Sequence, residues 1–193
     1  MKWDNVAILI LDEIDSTIES TVLSCLRRYP NSYLVSKYEP KKTSPLNHAK
    51  AASANILEAH LTLFSKLIII GHGAPHSCAR YYPDRLAYYL RCLGVRTVGL
   101  ISFKSCDIGN SIFLENFAFE CVKVNIQLGW CIGYKGTVHP FMGHFVIGEI
   151  PFDMFLRFAT CGWLKLPDAM RVKVVRGSAA IPNPFYTKLG KRF

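Results

Sequence analysis

The sequence predicts an α/β fold: a three-layer sandwich with a mostly parallel central sheet. Three observations lead there. Short continuous aliphatic runs, at 6–11, 67–70 and 95–103, read as strands buried on both faces. Segments with helical spacing separate them, so strand and helix alternate along most of the chain. Each run also stops abruptly on polar or small residues. In a parallel sheet those stops lie at the C-terminal edge, where α/β sites form.

The elements follow in order. Residues 6–11 form the first strand, ended by Asp12, Glu13 and Asp15. A helix over 16–29 places Ile18, Val22, Leu23 and Leu26 on one face, with Ser16 as its cap. Pro30 and Asn31 break it. A shorter strand covers 33–38, and 39–45 is a loop. Residues 47–64, rich in alanine and leucine, predict a long helix packed on the sheet through Ala51, Ile56, Ala59 and Leu63. The strand 67–70 then runs into Gly71, His72 and Gly73, and 73–82 reads as a loop. Further elements are a helix over 84–93, a strand over 95–103 that runs into Cys106, a helix over 112–127 and a short strand over 130–134. The pattern at 145–150 fits either a strand or a helix start. A helix over 152–164, an alternating edge strand over 170–176 and an irregular surface tail from 177 complete one domain of 193 residues.

Composition narrows the function classes. Half the residues are hydrophobic, yet no run approaches the length of a membrane span, and the N-terminus lacks the pattern of a secretory signal. The seven cysteines are scattered, odd in number and free of any CxxC pair. They read as reduced thiols of a reducing cytosol rather than as a disulfide framework. The net charge of +9 fits either a solvated basic face or an anionic partner.

The chemistry concentrates at two strand ends. His72 stands between two glycines, and Cys106 follows Lys104 and Ser105. A thiol attacks a carbonyl only as thiolate, and a histidine on the neighbouring strand takes its proton. Asp107, Gly109 and Asn110 lead toward the next helix, so a helix N-terminus is expected to favour the anion. The backbone N–H groups of Gly73 and Cys106 are candidates for an oxyanion hole.

The strings Leu67-Ile-Ile-Ile-Gly-His-Gly73 and Val98-Gly-Leu-Ile-Ser-Phe-Lys-Ser-Cys-Asp107 resemble the paired motifs of the caspase-like (clan CD) cysteine peptidases. The Gly-His-Gly and Ser-Cys forms look closest to the self-cleaving protease domains of bacterial toxins and related effectors. The string Trp130-Cys-Ile-Gly-Tyr-Lys-Gly-Thr-Val138 is similar to the strand and turn that follow the nucleophile helix in that superfamily. The resemblance implies that His72 is the general base, that Cys106 is the nucleophile, and that no third triad member is needed. It implies a primary pocket near Trp130, Gly133 and Tyr134, and a protein or peptide substrate. It also implies activation by inositol hexakisphosphate on a basic surface, for which Lys41, Lys42, Arg171, Lys173, Arg176, Lys188, Lys191 and Arg192 are the candidates. No cofactor is required for the chemistry. Delivery into a host cell without a cleavable signal fits the same branch.

Other readings stay open. A non-catalytic caspase-like scaffold would carry an inert Cys106. A zinc site from His72, His76 and Cys78, with His139 and His144 further on, is disfavoured because Gly73, Ala74 and Pro75 resist the helix that such spacing needs. Nucleic-acid binding rests on charge alone. A serine hydrolase is disfavoured by the absence of G-x-S-x-G.

Overall fold

The computed structural model describes residues 3–141, 144–147 and 171–182. Strand β1 (Asn5–Ile10) leads into helix α1 (Ser16–Arg28), then β2 (Tyr33–Ser36) and the two-residue β3 (Lys50–Ala51). Strand β4 (Ser65–Ile70) is followed by a small hairpin, β5 (Gly73–Ala74) and β6 (Ser77–Cys78), and by α2 (Pro83–Cys92). Strand β7 (Thr97–Lys104), α3 (Phe113–Lys123), β8 (Gln127–Tyr134), β9 (Val138–Phe141), β10 (His144–Ile147) and β11 (Val172–Arg176) complete the order.

Seven strands form one sheet in the order β11-β8-β7-β4-β1-β2-β3. All neighbours are parallel except the edge pair β8–β11, which is antiparallel. The chain is therefore α/β with a mostly parallel central sheet, as its sequence predicts. Helices cover both faces. Ile68 and Ile70 pack with Ile18 and Val22 of α1 on one side. Leu67 and Ile69 pack with Leu86 and Leu90 of α2 and Phe117 of α3 on the other. Burial from both sides is why β1 and β4 carry aliphatic residues without polar alternation. Phe103 meets Phe113 and Phe117 edge-on, with centroids 5.7 and 5.2 Å apart, which locks α3 onto β7.

Several expectations need correction. Residues 47–64 do not form a long helix; they hold β3 and a single 3-10 turn at Glu58–His60. Their backbone donors are spent elsewhere. The N–H groups of Asn55 and Leu57 donate to the carbonyls of Cys92 and Leu93 at the end of α2, and Asn55 sits at φ 59°. Leu46, Leu57 and Leu61 are buried, while Ala51 and Ala59 are exposed. Tertiary hydrogen bonds thus override helix propensity. Residues 73–82 are more ordered than a loop. Beyond the β5–β6 hairpin, Cys78 and Tyr81 exchange both backbone hydrogen bonds across Ala79 and Arg80, which have φ of 48° and 65°.

The cap of α1 is Asp15 rather than Ser16. Helix α3 ends at Lys123, because Asn125 turns to φ 57° and Gln127 already bonds Arg96 at the start of β8. The strand expected at 130–134 is the longer β8. At 144–147 the chain is strand. The expected helix over 152–164 and the tail beyond 182 lie outside the described residues. Residues 177–182 run along β8, with the N–H groups of Gly177 and Ala179 donating to Gly129 and Leu128. No helix among the described residues is long and apolar enough to cross a membrane.

Candidate active site

Strands β4 and β7 pair in parallel up to Ile70 opposite Lys104. Each chain continues two residues past that pair, to His72 and to Cys106. The register therefore aims both at the same level of the C-terminal edge. They also belong to one face. Alternation carries Ile68, Ile70 and His72 to the α1 side, and Cys106 packs against the α1-side core.

The backbone after β4 is held from several directions. Gly71 lies against Ala79, whose Cβ would be 2.9 Å from a Cβ at this position, so a larger residue has no room. The His72 N–H donates to Asp12 Oδ2 (3.3 Å), and its carbonyl accepts from Ala79 N–H (2.7 Å). Gly73 is seated on the Cys106 backbone: a Cβ there would lie 2.5 Å from the Cys106 nitrogen and closer still to its carbonyl oxygen. Only glycine permits that approach. Gly73 and Cys106, the two expected oxyanion donors, are thus neighbours in space.

The ring of His72 has a partner that the sequence did not reveal. Nε2 lies 2.8 Å from Asp15 Oδ2, with both side chains about half exposed. Asp15 Oδ1 accepts the Ile18 N–H at 2.8 Å, so one carboxylate caps α1 and grips the histidine. The Ile18 N–H first, and then His72, hold the Asp15 carboxyl below its usual range against the opposing cost of burial. An ionised carboxylate only accepts, so Nε2 carries the hydrogen in this contact, and Nδ1 is the nitrogen it leaves for other chemistry. The sequence signal was the acidic string Asp12, Glu13, Asp15 directly after β1.

Cys106 is half-buried, and its Sγ accepts the Val138 N–H of β9 at 3.3 Å. Asp107 then turns the chain at φ 57°, its N–H on the Gly136 carbonyl (3.1 Å). The expected helix N-terminus is not adjacent: a 3-10 turn at Ile108–Asn110 intervenes, and α3 begins only at Phe113. The hydrogen bond from β9 stands where the helix dipole was expected. Among the other described cysteines, burial pushes up the thiols of Cys25, Cys78, Cys121 and Cys131, that of Cys78 to about 12. Cys78 spends its sulfur on Ser105 Oγ at 3.1 Å. Cys92 is exposed on α2, away from the sheet edge.

Of the expected pocket residues, Trp130 lies far from the thiol, while Gly133 and Tyr134 pack near the segments that follow and precede it. Trp130 pairs with Leu100 in mid-sheet and donates Nε1–H to Ile181. That is six residues before Cys106 on β7, about 20 Å along a strand. Gly133 is covered by Ile108, and Tyr134 is buried with its hydroxyl accepting from Lys104 Nζ at 2.8 Å.

The basic candidates are also dispersed. Lys41 and Lys42 stand in the turn between β2 and β3, at the opposite edge of the sheet from β11. Lys173 pairs with Glu115 (2.6 Å), Arg176 is exposed at the end of β11, and Arg171 is buried. Lys188, Lys191 and Arg192 lie outside the described residues. A different group of cations does gather. Arg28, Lys66 and Arg171 all sit within electrostatic reach of Lys104 on the α1 face. The Nζ atoms of Lys66 and Lys104 lie over the rings of Tyr29 and Tyr134 at 4.9 and 4.8 Å. Burial lowers both lysines, Lys104 to about 8; repulsion by Lys104 adds to it at Lys66, and repulsion by Arg28 and Arg171 adds to it at Lys104. Among the described residues no group of three His, Cys, Asp or Glu side chains could hold a metal ion. No protein-family model matches the chain, and no curated protein matches it.

Proposed function

We propose that the chain is a cysteine endopeptidase of the caspase-like kind, with Cys106 as nucleophile and His72 as its proton partner. The observation that carries this reading is the seating of Gly73 on the Cys106 backbone, directly after His72. It sets the segments that carry the proposed base and thiol side by side at the sheet edge.

In the proposed cycle the Cys106 proton passes to Nδ1 of His72, and the sulfur adds to the scissile carbonyl. The carbonyl oxygen becomes an oxyanion facing the N–H groups of Gly73 and Cys106. Collapse breaks the C–N bond, and His72 returns the proton to the leaving amine. Water, losing its proton to His72, then attacks the thioester. The acid leaves, and the thiol is restored. Asp15 keeps the imidazole oriented throughout by accepting from Nε2. Asp15→Asn is expected to lower kcat about 10- to 100-fold while leaving thermal stability nearly unchanged, because asparagine caps a helix as well as aspartate does. Asp15→Ala adds the loss of the cap, about 1 kcal/mol. Steady-state kinetics beside thermal unfolding separates the two effects.

The resemblance extends the proposal to a toxin- or effector-type protease that cuts a host protein or itself inside a reducing cytosol. Inositol hexakisphosphate is its proposed activator. The group Arg28, Lys66, Lys104 and Arg171 supports that part better than the dispersed candidates do. Arg28, Lys66 and Arg171 are basic groups within electrostatic reach of Lys104, which is two residues from Cys106. An anion bound there raises the affinity of Lys104 for its proton. Binding is therefore expected to take up a proton above about pH 8, and affinity to fall as pH rises through that value. Calorimetry at pH 7 and 9, in buffers of different ionisation enthalpy, reads both. The whole proposal is tested by mass-spectrometric mapping of cleaved proteins with and without inositol hexakisphosphate, against a Cys106→Ala control. Identical cleavage by the control ends it.

A further inference from the structure

The C-terminal edge holds a second feature on the far side of His72 from Cys106. A hollow of about 250 Å³ opens between the ends of β1 and β2 and the turn after β6, lined by Asp12, Glu13, Lys37, Tyr38, Ala79, Arg80 and Tyr81. It is joined to His72 at two points: Asp12 accepts the His72 N–H, and Ala79 donates to the His72 carbonyl.

The walls are braced. Tyr81 stacks on Tyr89 of α2 at 5.3 Å. Lys37 N–H donates to the Ile10 carbonyl, and Ser36 Oγ donates to the Tyr38 carbonyl. Ala79 and Arg80 are both held at positive φ, a conformation that L residues adopt at a cost. The hollow already contains a cation. Lys37 Nζ lies 5.0 Å from the centre of the Tyr38 ring and 4.8 Å from that of Tyr81. Although burial opposes it, the two tyrosines hold this ammonium above its ordinary range. Two ring faces with Asp12 and Glu13 beside them are the chemistry that recognises an ammonium or guanidinium group. Arg80 is the only other cation of the lining.

We propose that this hollow is a subsite for a basic side chain of the substrate, and that Lys37 occupies it until substrate arrives. The assignment rests on the peptidase reading for its place in the reaction. The strand order β7-β4-β1-β2 puts Cys106, His72 and the hollow in that order across the C-terminal edge, with the Ala79–Tyr81 wall of the hollow on the α2 side. A peptide with its scissile carbonyl at Cys106 gives its leaving amine to His72. It then runs on toward the hollow, about 5–10 Å further at one strand spacing per step. The selected lysine or arginine therefore lies one to three residues after the cut.

The experiment uses blocked heptapeptides, identical except for lysine or norleucine at the first, second or third position after a common bond. Equilibrium binding to Cys106→Ala is measured by fluorescence anisotropy, and cleavage by the wild-type chain in parallel. One lysine peptide is expected to bind about tenfold more tightly than its norleucine twin. Lys37→Met is expected to tighten the lysine peptide several-fold and leave the norleucine one unchanged. Tyr38→Leu is expected to erase the preference. Equal binding of both peptides, or a Lys37→Met variant that weakens the lysine peptide, overturns the subsite. A lysine preference in binding without cleavage by wild type keeps the subsite and removes the peptidase reading. Cleavage without the preference does the reverse.

Discussion

Cys106→Ala is expected to lower kcat/KM by about 10⁴-fold or more, with the folded structure unchanged. The size follows from the proposed mechanism: without sulfur there is no thioester route, and only binding and the oxyanion donors remain to assist water. The fold is expected to survive because the side chain is half-buried and small. Its removal forfeits the hydrogen bond from Val138, a loss on the order of 1 kcal/mol. His72→Ala should cost nearly as much as the cysteine change, and the double variant little more, since the two act as one unit. The check is a progress curve on a cleaved peptide beside near-ultraviolet circular dichroism and thermal unfolding. A Cys106→Ala protein that cleaves at the wild-type rate would assign any activity to another centre, and the exposed Cys92 would be the next thiol to examine.

Gly73→Ala is expected to damage both stability and activity, although it adds a single methyl group. That methyl would meet the Cys106 nitrogen at 2.5 Å and crowd its carbonyl oxygen. Both neighbours are backbone, so no flexible side chain can yield. Strand β5 must move away from Cys106, carrying His72 with it. Overpacking of this kind costs about 1–3 kcal/mol, a fall in Tm of about 3–10 °C for a chain of this size. The accompanying shift of His72 is expected to cost about 100-fold in kcat. Ala74→Gly, one position on at an exposed site, is the control and should change little. A Gly73→Ala protein with unaltered Tm would mean that the close approach of β5 to Cys106 does not exist. The stability arm holds whatever reaction the site performs.

How far the site could be read in advance depended on what kind of contact makes it. His72 and Cys106 were visible because each ends an aliphatic run, and a strand buried on both faces leaves an unmistakable pattern. Asp15 was not visible. Its pairing with His72 spans 57 positions, and the acidic string after β1 reads equally well as a strand terminator. The long helix expected at 47–64 failed for a related reason. Alanine content reports local propensity, while the donors of Asn55 and Leu57 are satisfied by carbonyls of α2 far along the chain. Trp130 was assigned to a pocket by the resemblance alone, with no register to fix its level along the strand. With β8 starting at Gln127, register puts the tryptophan in mid-sheet.

By itself the sequence determined the layering: where the main strands β1, β2, β4, β7 and β8 lie, that most run parallel, that an edge strand falls near 170–176, and which ends carry a thiol and an imidazole. Burial pattern and chain reversal are local properties, written in residue order. Only the tertiary structure decided that Asp15 holds His72 and that Gly73 rests on the Cys106 backbone. The same is true of the gathering of Arg28, Lys66, Lys104 and Arg171, and of Lys37 between two tyrosines. Those are meetings between segments remote in the chain, set by sheet order and register, and no composition or spacing encodes them.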